Sequence, residues 1–230
     1  MIFFEDDDII ICDKPAGLPT QTNQVATKDL VSIMKNHVKG GYLALINRLD
    51  QYVRGFVVFA KNKEAAADLS KQITEHKFKK SYVAILYGDI DSEGELEEYL
   101  QKMPTGNVSR VAKKGEKDAK LARLKYRVLD KVTIDGKQLP IVHVDLITGR
   151  HHQIRLQFAN IGRPILGDCK YGSGESKDFS RENKINNIAL HAYEVSFNHP
   201  TTKKICNYKA DMEFKINNKC YCSSLSAEKY

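Results

Sequence analysis

The amino-acid sequence predicts an α+β fold, and three observations carry that expectation. Short runs rich in Val, Ile, Leu and Phe recur along the chain at strand rather than helix length. Antiparallel turn signals join some of them, above all Asp135-Gly136. Between the runs lie segments with helical apolar spacing, bounded by capping residues or glycines. With 230 residues, the chain can bury one substantial core or two packed subdomains.

Taken in order, the first apolar run is Ile9 to Cys12, which follows an acidic turn at 5–8 and stops at KPAGLP, residues 14–19. This reads as a strand and then a turn. A helix is expected over 29–38, capped by Thr27, with Leu30, Ile33, Met34 and Val38 on one face and Gly40 and Gly41 as its stop.

The stretch 43–61, LALINRLDQYVRGFVVFAK, sets two apolar runs around a polar centre. Residues 47–55 therefore become an irregular link between two buried strands. A carboxylate at such a link borders a low-dielectric core, where an isolated charge costs on the order of several kcal/mol, so Asp50 needs a cation or a proton. Arg48 and Arg54 are the nearby candidates. A surface ion pair of little consequence fits the same residue types.

Asn62 is the expected cap of a helix over 63–76, with Ala66, Leu69 and Ile73 on one face. KSYVAILYG at 80–88 reads as a strand buried on both faces. Tyr82 is then a core aromatic whose hydroxyl needs a partner or an opening to solvent. Residues 102–127 contain nine basic side chains against two acidic ones. A strand starting near Leu121 would put Arg123, Lys125 and Arg127 on one face, either along a phosphate backbone or simply solvated. Beyond the Asp135-Gly136 turn, 141–146 continues as the returning strand.

RHHQIRLQFANIG at 150–162 is read as a helix, because Ile154, Phe158 and Ile161 keep helical spacing and Gly162 suits a stop. His151, Arg155 and Ala159 form a stripe beside the apolar face, so Arg155 can meet a carboxylate. His151 and His152 are adjacent and point different ways on helix or strand, which makes them poor ligands for a shared metal. Residues 163–172 read as a turn-rich connector and 173–187 as a polar surface loop. A last strand pair is expected over 188–197 and 204–209, and the tail from Asn217 is weakly patterned.

Composition narrows the function. Hydrophobic residues at 42% and charged residues at 28% suit a globular chain. No apolar run approaches the ~20 residues that span a bilayer, and the opening MIFFEDDD carries acids where a secretory leader carries bases. A cytoplasmic protein away from membranes is the expectation. A net charge of +7 favours a polyanionic partner such as nucleic acid. Five scattered cysteines without CxxC spacing indicate reduced thiols, with neither a disulfide framework nor a zinc site.

Three blocks then occur in a telling order: Arg48-Leu49-Asp50 before a glycine-initiated apolar strand, Lys80-Ser81-Tyr82, and TGRHHQIRLQFANIGRPILGD at 148–168. With EDDDIIICDKPAGLP near the start and IALHAYEVSFNHP at 188–200, the chain resembles the RluA-type RNA pseudouridine synthases over nearly the whole catalytic domain. The resemblance implies a central mixed, mainly antiparallel sheet flanked by helices. It further implies a single catalytic domain over 1–230 that can divide into two halves flanking an active-site cleft, without the S4-type module of many relatives. It aligns Asp50 with the catalytic aspartate, Tyr82 with the tyrosine that stacks on the target uracil, and Arg155 with the arginine paired to that aspartate. Arg48 aligns with the arginine that helps fill the space of the flipped base, and Arg54, Arg150, His152 and Gln153 are read with it as substrate-binding. The implied reaction isomerises uridines of structured ribosomal or transfer RNA by a monomer with neither cofactor nor metal. The carboxylate's part, nucleophile or base at C2′, stays open.

The chain departs from the family pattern at Asn47, Val53 and Arg54, where the family usually has His and two small hydroxyl residues. Val53 cannot replace a hydroxyl that pins the loop, and Arg54 brings a charge that could compete for Asp50. A non-catalytic RNA-binding or RNA-folding protein on the same scaffold is the alternative. Glycosidic hydrolysis is a third reading, weakened because no motif supplies a second carboxylate.

Overall fold

The computed structural model describes residues 1–24, 27–216 and 219–222. The chain divides into two units, Met1–Lys80 with Ala192–Ala210 and Ser81–His191 with Asp211–Tyr230.

In the first unit, strands β1 (Ile2–Glu5), β2 (Ile9–Lys14), β4 (Arg54–Ala60) and β10 (Leu190–Asn198) lie in that order, with β3 (Ala44–Leu45) on β4 and β11 (Ile205–Lys209) on β10. Ile9 pairs with Ala60 and Lys14 with Gly55, so β2 and β4 run antiparallel along their whole lengths. Alternate residues Ile9, Ile11, Phe56, Val58, Val195 and Phe197 enter one core cluster with Ala65, Leu69 and Phe78. The opposite set, Ile10, Cys12, Val57 and Phe59, is equally buried. Burial on both faces is why these strands read as continuous apolar runs rather than alternating ones. Cys12 meets Met34 of α1 (Leu30–His37), with sulfurs 3.3 Å apart.

Two details of the helices differ from expectation. Asp29, not Thr27, caps α1: one carboxylate oxygen accepts from Ser32 N and the other from Thr22 N, each at 2.7 Å. Helix α2 (Lys63–Thr74) is capped by Asn62 as expected, but it buries Ala65, Leu69 and Gln72 while Ile73 is exposed. The rotation follows a polar anchor. The Gln72 amide donates to Asn198 O at 2.7 Å and accepts from Asn198 N at 2.8 Å, which fixes it against β10. In the turn after β10, His199 Nδ1 accepts from the amides of Thr201 and Thr202, leaving Nε2 to donate to Asp6 at 2.9 Å. With Asp8, these residues form a group of metal-ligating types, but the imidazole is committed to the turn.

In the second unit, β5 (Lys79–Ile85), β9 (Lys137–Leu146), β8 (Lys120–Ile134), β6 (Glu93–Lys102) and β7 (Ser109–Ala112) lie in that order, β5 contributing from Ser81 onward. The pairs β5–β9, β9–β8, β8–β6 and β6–β7 are all antiparallel. Asp135 and Gly136 have φ of 48° and 73° and close the two-residue β8–β9 hairpin that their sequence predicts. Strand β6 was not anticipated. Its acids oppose the basic strand: Arg123 binds Glu95 and Glu97 at 2.6 and 2.9 Å, and Lys125 lies 3.8 Å from Glu95. Arg123 and Lys125 thus meet carboxylates of the neighbouring strand.

Helix α3 (Gln153–Asn160) confirms the helical reading and is buried from Gln153 through Phe158, polar residues included. The expected loop at 173–187 contains helix α4 (Gly174–Glu182), capped by Ser173 through Ser176 N. Its buried residues are Ser176 and Ser180, and Ser180 Oγ accepts from Gly167 N, so no apolar stripe announced it. In the tail, β12 (Glu213–Ile216) pairs with β13 (Lys219–Cys222); residues 217, 218 and 223–230 lie outside the described residues. Among the described residues, no helix is long and apolar enough to cross a membrane.

Gly55 has φ of +131°, and a Cβ there would lie 2.2 Å from Ala192 O. Gly55→Ala should therefore lower the unfolding free energy by about 3 kcal/mol or more, read from urea denaturation. A loss below about 1 kcal/mol would mean the β4–β10 backbone is not held at this separation.

Candidate active site

In the first unit, residues 47–53 connect β3 to β4 and carry Arg48 and Asp50. Asn47 is buried and replaces a strand partner: its Nδ2 donates to Phe56 O at 3.1 Å and its Oδ1 accepts from Val58 N at 2.8 Å. Thr20 Oγ1 donates to Leu49 O and accepts from Leu49 N, at 2.8 and 3.2 Å. Leu49 and Val53 are buried, and Val53 N closes a turn onto Asp50 O at 3.1 Å. Asp50 is half-buried at the head of this turn, with Arg48, Gln51 and Tyr52 exposed around it.

Beneath the turn lies Lys14, with no exposed surface. Its ammonium donates to Pro15 O, Leu18 O and Gln51 O at 3.1, 2.8 and 3.0 Å. Burial draws its pKa down to about 8, against the opposing pull of the Asp50 and Asp13 carboxylates. Gly17 N also donates to Gln51 O, and Gln51 Nε2 returns a bond to Gly17 O. The KPAG turn is thereby stitched to the Asp50 turn. Arg54 forks onto Asp13 with Nε and Nη2 at 3.5 and 2.9 Å.

In the second unit, Tyr82 sits on β5 opposite Val144 and is 5% exposed. Arg155 is 4% exposed on α3, and its Nε and Nη2 donate to the two oxygens of Asp168 at 2.7 and 2.8 Å. Asp168 Oδ1 also accepts from Lys170 N and Tyr171 N at 2.9 and 3.1 Å. Burial works to raise the Asp168 pKa, but the Arg155 guanidinium and the two amides outweigh it and hold the carboxyl below its ordinary value. The guanidinium stands 5.2 Å from the Tyr171 ring centre.

The expected substrate-binding residues of this unit fare differently. Arg150 is exposed, with Nε bonded to Leu121 O at 2.9 Å. Gln153 is buried and engaged by the fold: Oε1 accepts from Thr148 Oγ1 and Arg150 N, and Nε2 donates to Arg123 O. His152 is buried with Nδ1 2.8 Å from the Tyr171 hydroxyl. The expectation that His151 and His152 diverge is corrected: their rings stack at 3.8 Å. His152 has φ of 54°, a left-handed conformation that belongs to neither helix nor strand and folds its ring back over its neighbour.

Lys14, Thr20, Asp168 and Tyr171 were not singled out from the sequence. One signal was present: Lys14 ends an apolar strand and enters a Pro-x-Gly turn, where a buried cation must satisfy turn carbonyls. Asp168 and Tyr171 lay in a connector without periodicity.

Comparison with known proteins gives a consistent picture. Residues 8–160 match the family model described as RNA pseudouridylate synthase. The chain is 33% identical over 221 residues to ribosomal large subunit pseudouridine synthase D of Nitrosomonas europaea, covering 92% of this chain and 61% of that protein. It is 31% identical over 224 residues to tRNA pseudouridine synthase C of Vibrio parahaemolyticus, covering 92% and 90%. The fold matches human RNA pseudouridylate synthase domain containing 1 with a TM-score of 0.73 at 21% identity, covering 91% of this chain and 82% of that one.

Two buried charges give measurable expectations. Lys14 titrates near 8 in the fold against 10.5 unfolded, so between these values the unfolded chain binds more protons and stability rises with pH. Across that window wild type should gain roughly 3 kcal/mol relative to Lys14→Met in urea unfolding, and parallel pH profiles would contradict the shielding of the ammonium. Asp168→Asn should cost about 3–5 kcal/mol by leaving Arg155 without its carboxylate partner on that side. Because the folded pKa of Asp168 is depressed, its contribution is present above pH 3.8 and is lost as pH falls through the lower folded value.

Proposed function

This chain belongs to the RNA pseudouridylate synthase family, and we propose from that premise that it converts selected uridines of structured ribosomal or transfer RNA to pseudouridine. Asp50 is the catalytic carboxylate, Tyr82 the aromatic platform for the target uracil, and Arg155 the cationic group of the chemistry. Arg48, Arg54 and Arg150 provide positive charge for the RNA, while His152 and Gln153 shape the segment that carries Arg150 and Arg155. The chain spans 61% of the length of the Nitrosomonas europaea protein, so the substrate is assigned on the chemistry of these residues as well as on the relatives' names.

The observation that carries the reading is the Asp50 turn. A carboxylate stands half-buried on a loop whose backbone is pinned by Lys14, Thr20 and Asn47. Such pinning fixes the carboxylate in place before substrate arrives. In the isomerisation, the N1–C1′ bond breaks, the uracil turns, and C5 joins C1′; the proton lost from C5 balances the one gained at N1. Asp50 enters by bonding to C1′ or by taking the C2′ proton, and both routes require the ionised carboxylate. Extruding a base from folded RNA costs stacking energy, and an aromatic face recovers roughly 1–3 kcal/mol of it.

Modification mapping tests this reading. Purified protein should convert specific uridines in RNA from cells lacking the gene, Asp50→Asn should lower the rate at least about a thousandfold, and Tyr82→Ala should lower it roughly 10- to 100-fold. If wild type modifies no uridine, or Asp50→Asn keeps the wild-type rate while RNA binding persists, the protein is an RNA-binding factor and the enzymatic reading is lost.

A further inference from the structure

The second unit contains a hydrogen-bonded path that the reaction chemistry does not require. The β6–β7 hairpin, residues 103–108, turns through Gly106 and Asn107 with φ of 75° and 47°. It is closed by Met103 N on Val108 O at 2.9 Å. Lys102 faces solvent at the foot of the turn, and Lys113 and Lys114 are exposed just beyond the other end of β7. Three contacts fasten the hairpin at its base. Ser109 Oγ bonds to His151 O at 2.9 Å, His151 Nε2 meets Asn107 Oδ1 at 2.9 Å, and Lys170 Nζ donates to Asn107 O at 2.8 Å.

The decisive contact is a fourth. Ser109 N donates to the Tyr171 hydroxyl at 2.7 Å, and that hydroxyl lies 2.8 Å from His152 Nδ1. The phenol therefore accepts from the hairpin backbone and has its own proton for the residue that starts α3. The same ring lies under the Arg155 guanidinium, and Tyr171 N donates to Asp168, the carboxylate that forks Arg155. One side chain thus touches the hairpin, the start of α3 and the arginine.

We propose that Tyr171 is a positioning residue that sets the placement of Arg155 according to the state of the β6–β7 hairpin. The proposal rests on the RNA-modifying reading above. A polyanion docking on Lys102, Lys113 and Lys114 steadies the hairpin, Ser109 N steadies the phenol, and the phenol ring steadies the guanidinium. Arg155 is then held most firmly when RNA is in place. The ring supplies a cation–π contact and packs against the cluster that contains Leu100 of β6; the hydroxyl adds the hydrogen bond to the hairpin backbone. Separating ring from hydroxyl therefore separates a packing role from a tether.

Tyr171→Phe keeps the ring and removes the tether, whereas Tyr171→Leu removes both. In steady-state kinetics on a structured RNA, Tyr171→Phe should lower kcat at least tenfold with KM within threefold of wild type and an unchanged melting temperature. If Tyr171→Phe matches wild type and only Tyr171→Leu is impaired, the role is packing and the tether is refuted. A second readout needs no turnover: in protein labelled with 15N-arginine, hydrogen exchange of the Arg155 Nε–H should be at least tenfold faster in Tyr171→Phe than in wild type, and equal exchange would overturn the proposal. A wild type that modifies no RNA counts against the enzymatic reading, and the exchange measurement then decides the tether by itself.

Discussion

The Lys14 ammonium is the constraint on which the Asp50 turn depends. A buried cation without acceptors would be prohibitive, and this one is solvated by three main-chain carbonyls drawn from two separate turns. Because the donor cannot be satisfied unless both turns are formed, the Pro-Ala-Gly turn and the Asp50 turn are obliged to fold as one piece. Thr20 and Asn47 repeat the device with neutral groups, each returning hydrogen bonds to strand or loop backbone that would otherwise lack a partner. The carboxylate at the top inherits a fixed position from polar groups that are themselves hidden from solvent.

The second unit answers the same problem with a carboxylate in place of carbonyls. Arg155 lies on a helix buried almost all round, where an unpaired guanidinium would be costly, and Asp168 supplies a fork-to-fork partner. Asp168 in turn is held by two amides of the chain that follows it. The helix starts from a left-handed histidine, and Gln153 locks the preceding turn with three hydrogen bonds. Both units therefore fix a charged group by spending neighbouring polar atoms on internal contacts. This explains why Gln153 and His152, read as substrate-binding in the sequence, are buried in the fold.

Much of the architecture was legible because it depends on local signals. The Asp135-Gly136 hairpin, the Asn62 cap, the apolar strands β2, β4 and β5 and the stop at Gly162 each follow from residue chemistry over a few positions. The misses share a different cause. Strand β6 is acidic and makes sense only opposite the basic strand β8; helix α4 packs on serines; and the face of α2 is decided by Gln72 reaching a strand far along the chain. Among the expected site residues, Asp50, Tyr82 and Arg155 stood out through their motif contexts. Lys14, Asp168 and Tyr171 did not, since their significance comes from partners distant in sequence or from a connector without periodicity.

The carboxylates that β6 sets beside Arg123 and Lys125 have a consequence for how the molecule meets a polyanion. Charge that is already answered by an adjacent strand contributes little to the long-range field, so Arg123 and Lys125 add less to it than exposed lysines outside that ladder such as Lys102, Lys113 and Lys114. A polyanion meeting this unit would therefore gain less from the β6–β8 ladder than its number of basic residues suggests.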